Sequence, residues 1–347
     1  MNPKDPNTGE RPPRRVTAAM VARAAGVSTA TVSLVANGKA SGRVSGRNVQ
    51  KVRQAISDLG YVVDGIGSSL ARGVSSTVIM VAPDISNPFF ARLIAGVRKV
   101  LGSDYQLLLS VTDPGQSPSV PEVRRLLGLR PAGLLIDAPN RQFLSELGSP
   151  IPVVAIDAPD APPQVPAVNL DVAQGARDMV EHFAGLGHRK VAYLDANTGT
   201  ATLRQRQQAF THAVHEHGMQ LPEGAVIATT IDVGEAAAGF AAAWPQWQAQ
   251  GITAIGCATD THAYGVLQEA RVAGLQLPDE LAVAGFDDLP YSSTTNPPLT
   301  SINLDAEGLG SGAARQLRRL IEGEPLDASH LVLPGQLVVR GSTVAQA

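Results

Sequence analysis

The segment 18–38, AAMVARAAGVSTATVSLVANG, restricts the fold of this chain more than any other, because it predicts two short helices joined at a glycine. Met20, Val21 and Ala24 have the spacing that places apolar side chains on one side of the first helix. Gly26 readily adopts the left-handed conformation that a tight interhelical turn requires. The segment therefore predicts a helix-turn-helix, a unit that places its second helix in the major groove of DNA.

The second helix is predicted over residues 28–36, with the hydroxyl of Ser28 as its cap and Asn37 at its end. Val32 and Val35 are expected to be buried by this helix. The residues expected to face away from the core are Ser28, Thr29, Ala30, Ser33 and Leu34. This outward face is the predicted recognition surface.

The distribution of charge along the chain favours a DNA-binding unit over the alternative, two ordinary amphipathic helices at the edge of a globular domain. Residues 1–72 contain 11 Lys/Arg and 4 Asp/Glu, a net charge of +7, whereas the remaining 275 residues contain 17 and 27, a net charge of −10. The net charge of −3 for the whole chain therefore conceals a basic N-terminal part and an acidic body. Such an asymmetry is expected if only the basic part meets phosphate.

Composition excludes several classes of protein. The chain has 347 residues, 44% hydrophobic and 17% charged, which is typical of a globular protein with two or three core-bearing units. No apolar run approaches the roughly 18 to 20 residues that span a bilayer, so no membrane partner is expected. Residues 1–15 contain no apolar segment and predict a flexible basic arm on a cytoplasmic protein. The single Cys257 lies in an apolar run and predicts a buried strand residue.

The remaining pattern predicts a third helix and then a large α/β body. The third helix runs from Ser45 to about Leu59 and completes a helix-turn-helix head over 16–61, which a linker at 62–74 follows. Predicted strands are 78–83, 106–111, 133–137, 152–157, 191–195, 225–230, 254–259 and 281–287, and predicted helices include 89–102, 119–129, 173–187, 203–218, 235–250 and 261–273. Apolar strands that alternate with amphipathic helices indicate doubly wound parallel sheets. The pattern restarts near residue 187, which indicates two lobes.

Motifs in a fixed order extend along nearly the whole chain. They are VARAAGVSTATVS and DLGY in the head, SLARG in the linker, PDISNPFF at 83–90, HFAGLGHRKVAYL at 182–194, GFDDLP at 285–290, PPLTSI at 297–302 and LVVRGST at 337–343. Over residues 16–344 the chain resembles the lactose-repressor (LacI-type) family of transcription regulators. The resemblance implies a helix-turn-helix head, a hinge helix and a body similar to periplasmic sugar-binding proteins.

The resemblance also implies an architecture and partners. The body would have one lobe at about 75–171 and 303–328 and a second at about 172–302 and 329–345. A small effector would bind between the lobes, and a homodimer would bind a near-palindromic operator in DNA. In the head, Thr29 and Ala30 occupy the positions that usually contact base edges. The positions that contact the DNA backbone or position the helix hold Ser28, Thr31, Ser33 and Asn37. Leu34 replaces a frequent Arg and cannot donate hydrogen bonds to guanine, although it could contact a methyl group.

The linker matches the family in one residue and departs from it in several. Leu70 matches the leucine that inserts between two base pairs in the minor groove and kinks the duplex. Val63 and Asp64 replace the usual Pro-Asn. Gly65 and Gly67 stand where the family has better helix formers, and each glycine costs about 1 kcal/mol of helix propensity. The hinge helix is therefore expected to depend on DNA for its order.

Residues of the effector site also follow from the resemblance. Phe89 and Phe90 match positions that contact effector, although core packing is an equal alternative for Phe90. Arg206 matches the arginine that binds effector hydroxyls or carboxylate from the second lobe. Asp287 ends a predicted strand, where ligands bind in parallel sheets. Two further candidates are Asp171 and Thr259. Asp171 is a weaker candidate at a lobe crossover, and Thr259 stands where many relatives have Asn.

Three other functions are alternatives to a repressor controlled by a small polar metabolite such as a sugar. An enzyme is not expected, because no catalytic set of residues and no phosphate loop is present, and no cofactor or metal is expected either. His212, His215 and His217 on one helix are better explained as a solvated face. A solute-binding protein would lack the basic head. A corepressor-dependent regulator of the purine type is an open alternative.

Replacing Leu70 with alanine is expected to weaken specific DNA binding more than nonspecific binding, because the leucine is useful only where the central base step kinks readily. Titrations of operator and random DNA with wild type and Leu70→Ala would measure both losses. Equal losses on the two DNAs would assign Leu70 to ordinary packing.

Overall fold

The computed structural model describes residues 16–61, 75–82, 85, 87–112 and 118–344. It divides the chain into two compact units, 1–75 and 76–347. The predicted basic arm and the predicted linker, with Leu70, lie outside the described residues.

The first unit contains a helix-turn-helix followed by a third helix, as the sequence predicts. Its helices are α1 (Ala18–Ala25), α2 (Thr29–Ala36) and α3 (Gly46–Leu59). One fully buried valine from each helix, Val21, Val32 and Val52, forms the centre of a small core. Gly26 ends α1 in the left-handed conformation with φ +66°, and the Ser28 hydroxyl accepts a hydrogen bond from the Thr31 N–H at 3.2 Å. Local caps therefore set the angle between α1 and α2.

The predicted buried face of α1 is wrong by one residue. The helix buries Val21, Ala22 and Ala25, whereas Met20 is 42% exposed and Ala24 is exposed. Alanines on both sides of Val21 make either arc of the helix apolar enough to face a core. The position of the valines on α2 and α3 decides which arc is buried.

The body contains two six-stranded sheets. Its strands are β1 (Thr77–Ala82), β2 (Gln106–Val111), β3 (Gly133–Asp137), β4 (Val153–Ile156), β5 (Ala167–Leu170), β6 (Val191–Ala196), β7 (Val226–Thr229), β8 (Ala254–Cys257), β9 (Ala282–Asp287), β10 (Thr300–Leu304), β11 (His330–Leu333) and β12 (Gly335–Val338). The first sheet has the order β11-β5-β4-β3-β1-β2, and all its pairs are parallel. The second has the order β12-β10-β9-β8-β6-β7, with β12 antiparallel to β10.

Helices cover these sheets, which confirms the predicted α/β architecture of two doubly wound lobes. They are α4 (Pro88–Leu101), α5 (Val120–Leu127), α6 (Arg141–Leu147), α7 (Val172–Gly185), α8 (Ala201–Glu216), α9 (Val233–Gln250), α10 (Asp260–Val272) and α11 (Ala306–Glu322). Pattern analysis found the eight longer or more apolar strands and missed β5, β10, β11 and β12. Each of these four is short and also contains a strongly polar residue, such as Asn169 in β5 or Gln336 in β12, whereas the equally short β4 and β8 are apolar throughout.

The chain passes between the lobes three times within the body. It does so after β5 at Asp171, after β10 at Asp305, and between β11 and β12 at Pro334. The expected boundaries at 303 and 329 are therefore corrected. β11 belongs to the first sheet because His330 pairs in register with Ala167, and β10 belongs entirely to the second.

Helices α4 and α11 pack closely over the first sheet through glycines. A Cβ atom at Gly310 would lie 2.0 Å from the Leu93 carbonyl oxygen, and one at Gly96 would lie 2.1 Å from the Glu307 carbonyl oxygen. The glycine-rich stretch at 308–312 is thus part of a helix whose backbone touches its neighbour. A side chain at either position would separate the two helices.

Gly310→Ala is expected to destabilise the protein by at least about 2 kcal/mol, because the added methyl group meets backbone that cannot move aside. Gly185→Ala on α7 is the control, since a Cβ atom there meets nothing within 4 Å. This control should change the free energy of unfolding by less than about 1 kcal/mol. Urea denaturation of both variants tests the comparison, and equal stabilities would contradict close packing of α4 on α11.

Candidate functional site

A cavity of about 880 Å³ lies between the two lobes of the body. It is lined by residues at or just beyond the carboxyl ends of strands in both sheets, among them Asp137 at the end of β3, Asp157 after β4, Asn197 after β6, Thr259 after β8 and Asp287 at the end of β9. Open parallel sheets bind ligands at this edge, because strand ends and loops converge there. The volume is in the range of small-molecule sites.

Arg206 on α8 forms part of the second-lobe wall of the cavity and is only 4% exposed. Its Nη1 donates a hydrogen bond to the Ala258 carbonyl, and its guanidinium carbon lies 4.1 Å from the centre of the Phe286 ring. The Nε–H has no acceptor among the described residues. A buried guanidinium held by a carbonyl and an aromatic face is already oriented to bind a ligand oxygen.

Asp287 ends β9 on the same wall and is 5% exposed. Its backbone has φ +104°, a region that non-glycine residues rarely adopt. Burial raises the pKa of Asp287 to about 8, while Arg206 lowers it and Asp260 raises it further. The carboxyl group therefore exists in both protonation states near neutral pH and serves as donor or acceptor.

Asp260, which sequence analysis did not single out, holds the loop that follows Asp287. Its carboxylate accepts hydrogen bonds from the Leu289 N–H at 2.8 Å, the Ser301 hydroxyl at 2.6 Å and the Ser292 hydroxyl. Asp260 is fully buried, and burial raises its pKa to about 6. Asp287 is thus positioned by hydrogen bonds that reach across neighbouring strands.

Asp288 anchors the same loop from its other side. It forms an ion pair with Arg340 at 2.7 Å and accepts a hydrogen bond from the Asn303 amide at 2.8 Å. The two successive aspartates therefore have different surroundings: Asp287 lines the cavity, whereas Asp288 is held by protein side chains.

The first-lobe floor of the cavity holds two carboxylates that sequence analysis missed. Asp137 is 5% exposed, and its Oδ1 is buried with no hydrogen-bond donor among the described residues. Burial and the charge of Asp157 raise the pKa of Asp137 well above its usual value. Burial also raises the pKa of Asp157, against a lowering by Arg206. A signal was available, because each residue is the aspartate that ends a predicted apolar strand.

A hydrogen bond between two described residues connects the lobes at the cavity. The Thr202 hydroxyl on α8 donates to the Asp157 backbone carbonyl at 3.2 Å. Asp157 has φ +53°, and Ala138 on the neighbouring strand end has φ +43°. The residues just after β3 and β4 therefore have a strained backbone, and one of them, Asp157, also contacts the second lobe directly.

Three of the other four predicted effector residues line the cavity, and one does not. Phe89 and Phe90 line the cavity at the start of α4, with ring centroids 5.5 Å apart and edge to face. Thr259 also lines it, and its hydroxyl accepts a hydrogen bond from the His262 N–H at 3.3 Å. Asp171 does not line the cavity. Its carboxylate caps α7 by accepting a hydrogen bond from the Gln174 N–H at 2.9 Å, which corrects its expected role.

In the head, α2 presents small side chains to solvent. Thr29, Ala30 and Ser33 are exposed, while Thr31 and Leu34 are half-buried. Several hydroxyl and amide groups of this surface are engaged within the helix, since Ser28 Oγ lies 3.0 Å from Thr31 Oγ1 and the Asn37 amide donates to the Ser33 carbonyl at 2.8 Å.

The rest of the head surface is strongly basic. Its described residues, 16–61, include one acidic side chain, Asp58, and six exposed basic side chains: Arg23, Lys39, Arg43, Arg47, Lys51 and Arg53. A surface of this charge attracts phosphate.

The described residues also bear on two other classes of function. They contain no group of three or more His, Cys, Asp or Glu side chains arranged to hold a metal ion. His212 is 74% exposed and pairs with Glu216 at 3.2 Å. No single described helix is long and apolar enough to cross a membrane, and the pair α1 and α2, bent by 103°, meets that criterion only when both are taken together.

Comparison with known proteins relates both units to one group of regulators. Residues 17–64 match the family described as bacterial regulatory proteins, lacI family, and residues 180–343 match the periplasmic binding protein-like domain. The chain is 31% identical over 330 residues to the catabolite control protein A of Priestia megaterium, which covers 93% of this chain and 98% of that protein.

Solved structures extend the similarity to complexes with DNA and with a sugar. The lac repressor dimer bound to operator and the anti-inducer ONPF is 27% identical, with a TM-score of 0.80 over 96% of this chain and 100% of that chain. The complex of the transcriptional regulator CelR with cellobiose is 28% identical, with a TM-score of 0.69 over 94% of this chain and 100% of that chain.

Asp287→Asn is expected to unfold at a higher temperature than wild type at about pH 8. Between the usual pKa of 3.8 and the folded value of about 8, the folded protein holds a proton that the unfolded chain has lost. This carboxyl group therefore contributes less stability as the pH rises through that interval, and the asparagine removes the effect. Thermal unfolding followed by circular dichroism should show the difference shrinking toward about pH 4.

Asp288→Asn is the control for this comparison, because it removes the negative charge that pairs with Arg340. It should unfold at a lower temperature than wild type at about pH 8. An Asp287→Asn variant that is also less stable there would contradict the assignment of Asp287 as a buried carboxyl group with a raised pKa.

Proposed function

Because the chain belongs to the LacI family of bacterial regulatory proteins, we propose that a small polar metabolite bound between its two lobes controls how tightly it binds its operator. The chain is a DNA-binding transcription regulator. The observation that carries the proposal is the cavity itself, in which Arg206 and Asp287 of the second lobe lie opposite Asp137 and Asp157 of the first. A ligand that contacts both walls makes contacts that change when the lobes move.

On the DNA side, α2 acts as the recognition helix. Thr29 and Ala30 are exposed and carry short side chains, which suit contacts with thymine methyl groups and contacts through water. Leu34 supplies a further apolar contact in place of a guanine-binding arginine. The residues that contact the DNA backbone or hold the helix are Ser28, Thr31, Ser33 and Asn37. The protein binds as a homodimer to a near-palindromic operator and represses transcription.

On the effector side, the ligand is a sugar or a related polyhydroxylated compound. Arg206 donates to ligand oxygens, and Asp287 exchanges hydrogen bonds with hydroxyl groups. Phe89 and Phe90 pack against its apolar faces from the first lobe, and Thr259 contributes a hydroxyl group. Effector affinity and DNA affinity are coupled reciprocally through the angle between the lobes, typically by about 1–3 kcal/mol.

A binding selection with the full-length protein tests the DNA side. Genomic fragments that include the region beside its own gene compete with random DNA, with and without sugars and nucleobases. A preferred fragment is expected, and its affinity should fall steeply with salt because each neutralised phosphate releases counterion. Absence of any preferred fragment under all conditions would overturn sequence-specific binding.

Arg206→Ala is expected to abolish the response of DNA binding to effector while the variant keeps its fold and its operator affinity. The effector is the compound that raises the melting temperature of wild type most in a screen of sugars and nucleobases. Wild type should change operator affinity by about 5- to 150-fold on saturation, and the variant should not respond. The sign of the wild-type response separates an inducer from a corepressor.

Arg271→Ala is the matched control, since Arg271 is an exposed arginine on α10 that does not line the cavity. It should respond like wild type. A folded Arg206→Ala variant that binds the effector with wild-type affinity would show that the effector site lies elsewhere.

A further inference from the structure

The described lining of the interlobe cavity carries more acidic than basic side chains. Four aspartates line it, Asp137, Asp157, Asp232 and Asp287, against one basic residue, Arg206. Asp232 is exposed and caps α9 by accepting a hydrogen bond from the Glu235 N–H at 3.0 Å. The excess of acidic side chains in the interior of the cavity therefore comes from Asp137, Asp157 and Asp287.

The imbalance is concentrated on the first-lobe floor. Strands β3 and β4 are hydrogen-bonded neighbours in which Asp137 is paired with Ile156, so that Asp157 follows one residue later at the same edge. The charge of Arg206 acts on Asp157 and on Asp287, whereas the charge that acts on Asp137 is that of Asp157. Arg92 on α4 acts on Asp287. Asp137 is thus the buried carboxyl group of the cavity on which no cation among the described residues acts.

Side-by-side carboxylates in a buried site are unfavourable unless a positive charge or a proton compensates them. An ammonium group is such a compensation, because it carries a positive charge and three hydrogen-bond donors. The buried Oδ1 of Asp137, which lacks a donor among the described residues, would accept one of them. A ligand carboxylate or phosphate at this end of the cavity would meet repulsion instead.

Aromatic side chains from the same lobe add to this environment. Phe89 and Phe90 line the cavity at the start of α4, and aromatic faces attract ammonium groups. The opposite wall, with Arg206, suits hydroxyl or ether oxygens. The two ends of the cavity therefore favour different parts of one ligand.

We propose that the Asp137–Asp157 floor binds the protonated amine of the effector, so that the effector is a polyhydroxylated amine such as an amino sugar rather than a neutral or an acidic sugar. This inference rests on the proposed function, because it takes the cavity as the effector site. Asp137 and Asp157 accept hydrogen bonds from the ammonium group, and Arg206 donates to oxygens at the other end of the ligand. The competing arrangement is a protonated Asp137 that donates to an oxygen of a neutral sugar.

Ligand sets that share a carbon skeleton test the proposal on the full-length protein at pH 7. D-glucose, D-glucosamine and D-glucuronate form one set, and D-galactose, D-galactosamine and D-galacturonate form a second. Cellobiose and its diamino analogue form a third. Thermal shift and calorimetric titration measure binding in each set. The amine of at least one set is expected to bind at least about tenfold more tightly than its neutral partner, as a charge-assisted hydrogen bond would require.

Asp137→Asn distinguishes an ammonium group bound by carboxylates from a neutral sugar bound by a protonated Asp137. The amide has nearly the same shape as the carboxyl group but carries no charge. The preference for the amine should fall below about threefold in this variant, whereas a neutral sugar held by a protonated carboxyl group would still bind. Asp195→Asn is the matched control, since Asp195 is a partly buried aspartate of β6 that does not line the cavity. It should keep the preference of wild type.

The amine subsite is rejected if no amine binds wild type more tightly than its neutral and acidic partners, or if the preference survives in Asp137→Asn. The proposed function is judged separately, by the response of operator affinity. A neutral or acidic sugar that binds with Arg206 and changes operator affinity leaves the proposed function intact while it overturns the amine subsite.

Discussion

The buried guanidinium of Arg206 is the positive charge around which the interlobe cavity is arranged. Burial raises the pKa values of Asp157 in the first lobe and Asp287 in the second, and the charge of Arg206 counteracts both shifts, so that it interacts electrostatically with both walls at once. The Ala258 carbonyl and the Phe286 ring fix its position. A buried charge of this kind is stable only while such partners remain, and its interactions therefore depend on the arrangement of the two lobes.

The strand ends around this cavity are built at a cost to stability. Ala138, Asp157, Asp287 and Asp288 all have positive φ values, and Asp137 and Asp287 are carboxyl groups that burial makes harder to ionise. The hydrogen bonds of Asp260 and the ion pair of Asp288 with Arg340 hold the loop in place despite this strain. Strain and unpaired polar atoms concentrated at one site are typical of a functional surface, because nothing in packing alone favours them.

The head follows a different physical rule, since its architecture comes from short-range interactions. A hydroxyl cap, a left-handed glycine and three buried valines define α1 and α2, and the side chains left outside are small. Small side chains on a recognition helix supply few direct hydrogen bonds to bases. In the proposed complex with DNA, binding by this head would therefore depend more on the basic surface and on fit to the groove than on bidentate contacts.

The sequence by itself determined the features that depend on neighbouring residues: the caps and the turn of the helix-turn-helix, the apolar strands, and the aspartates that end strands. Tertiary structure decided which distant residues meet. Asp137 and Asp157 became neighbours through the pairing of β3 with β4, and Arg206 came close enough to act on Asp157 through the meeting of two lobes. The same long-range packing selected the buried side of α1 and made Asp171 a helix cap outside the cavity. Periodicity records only local alternation of polar and apolar residues, so it could not show these encounters.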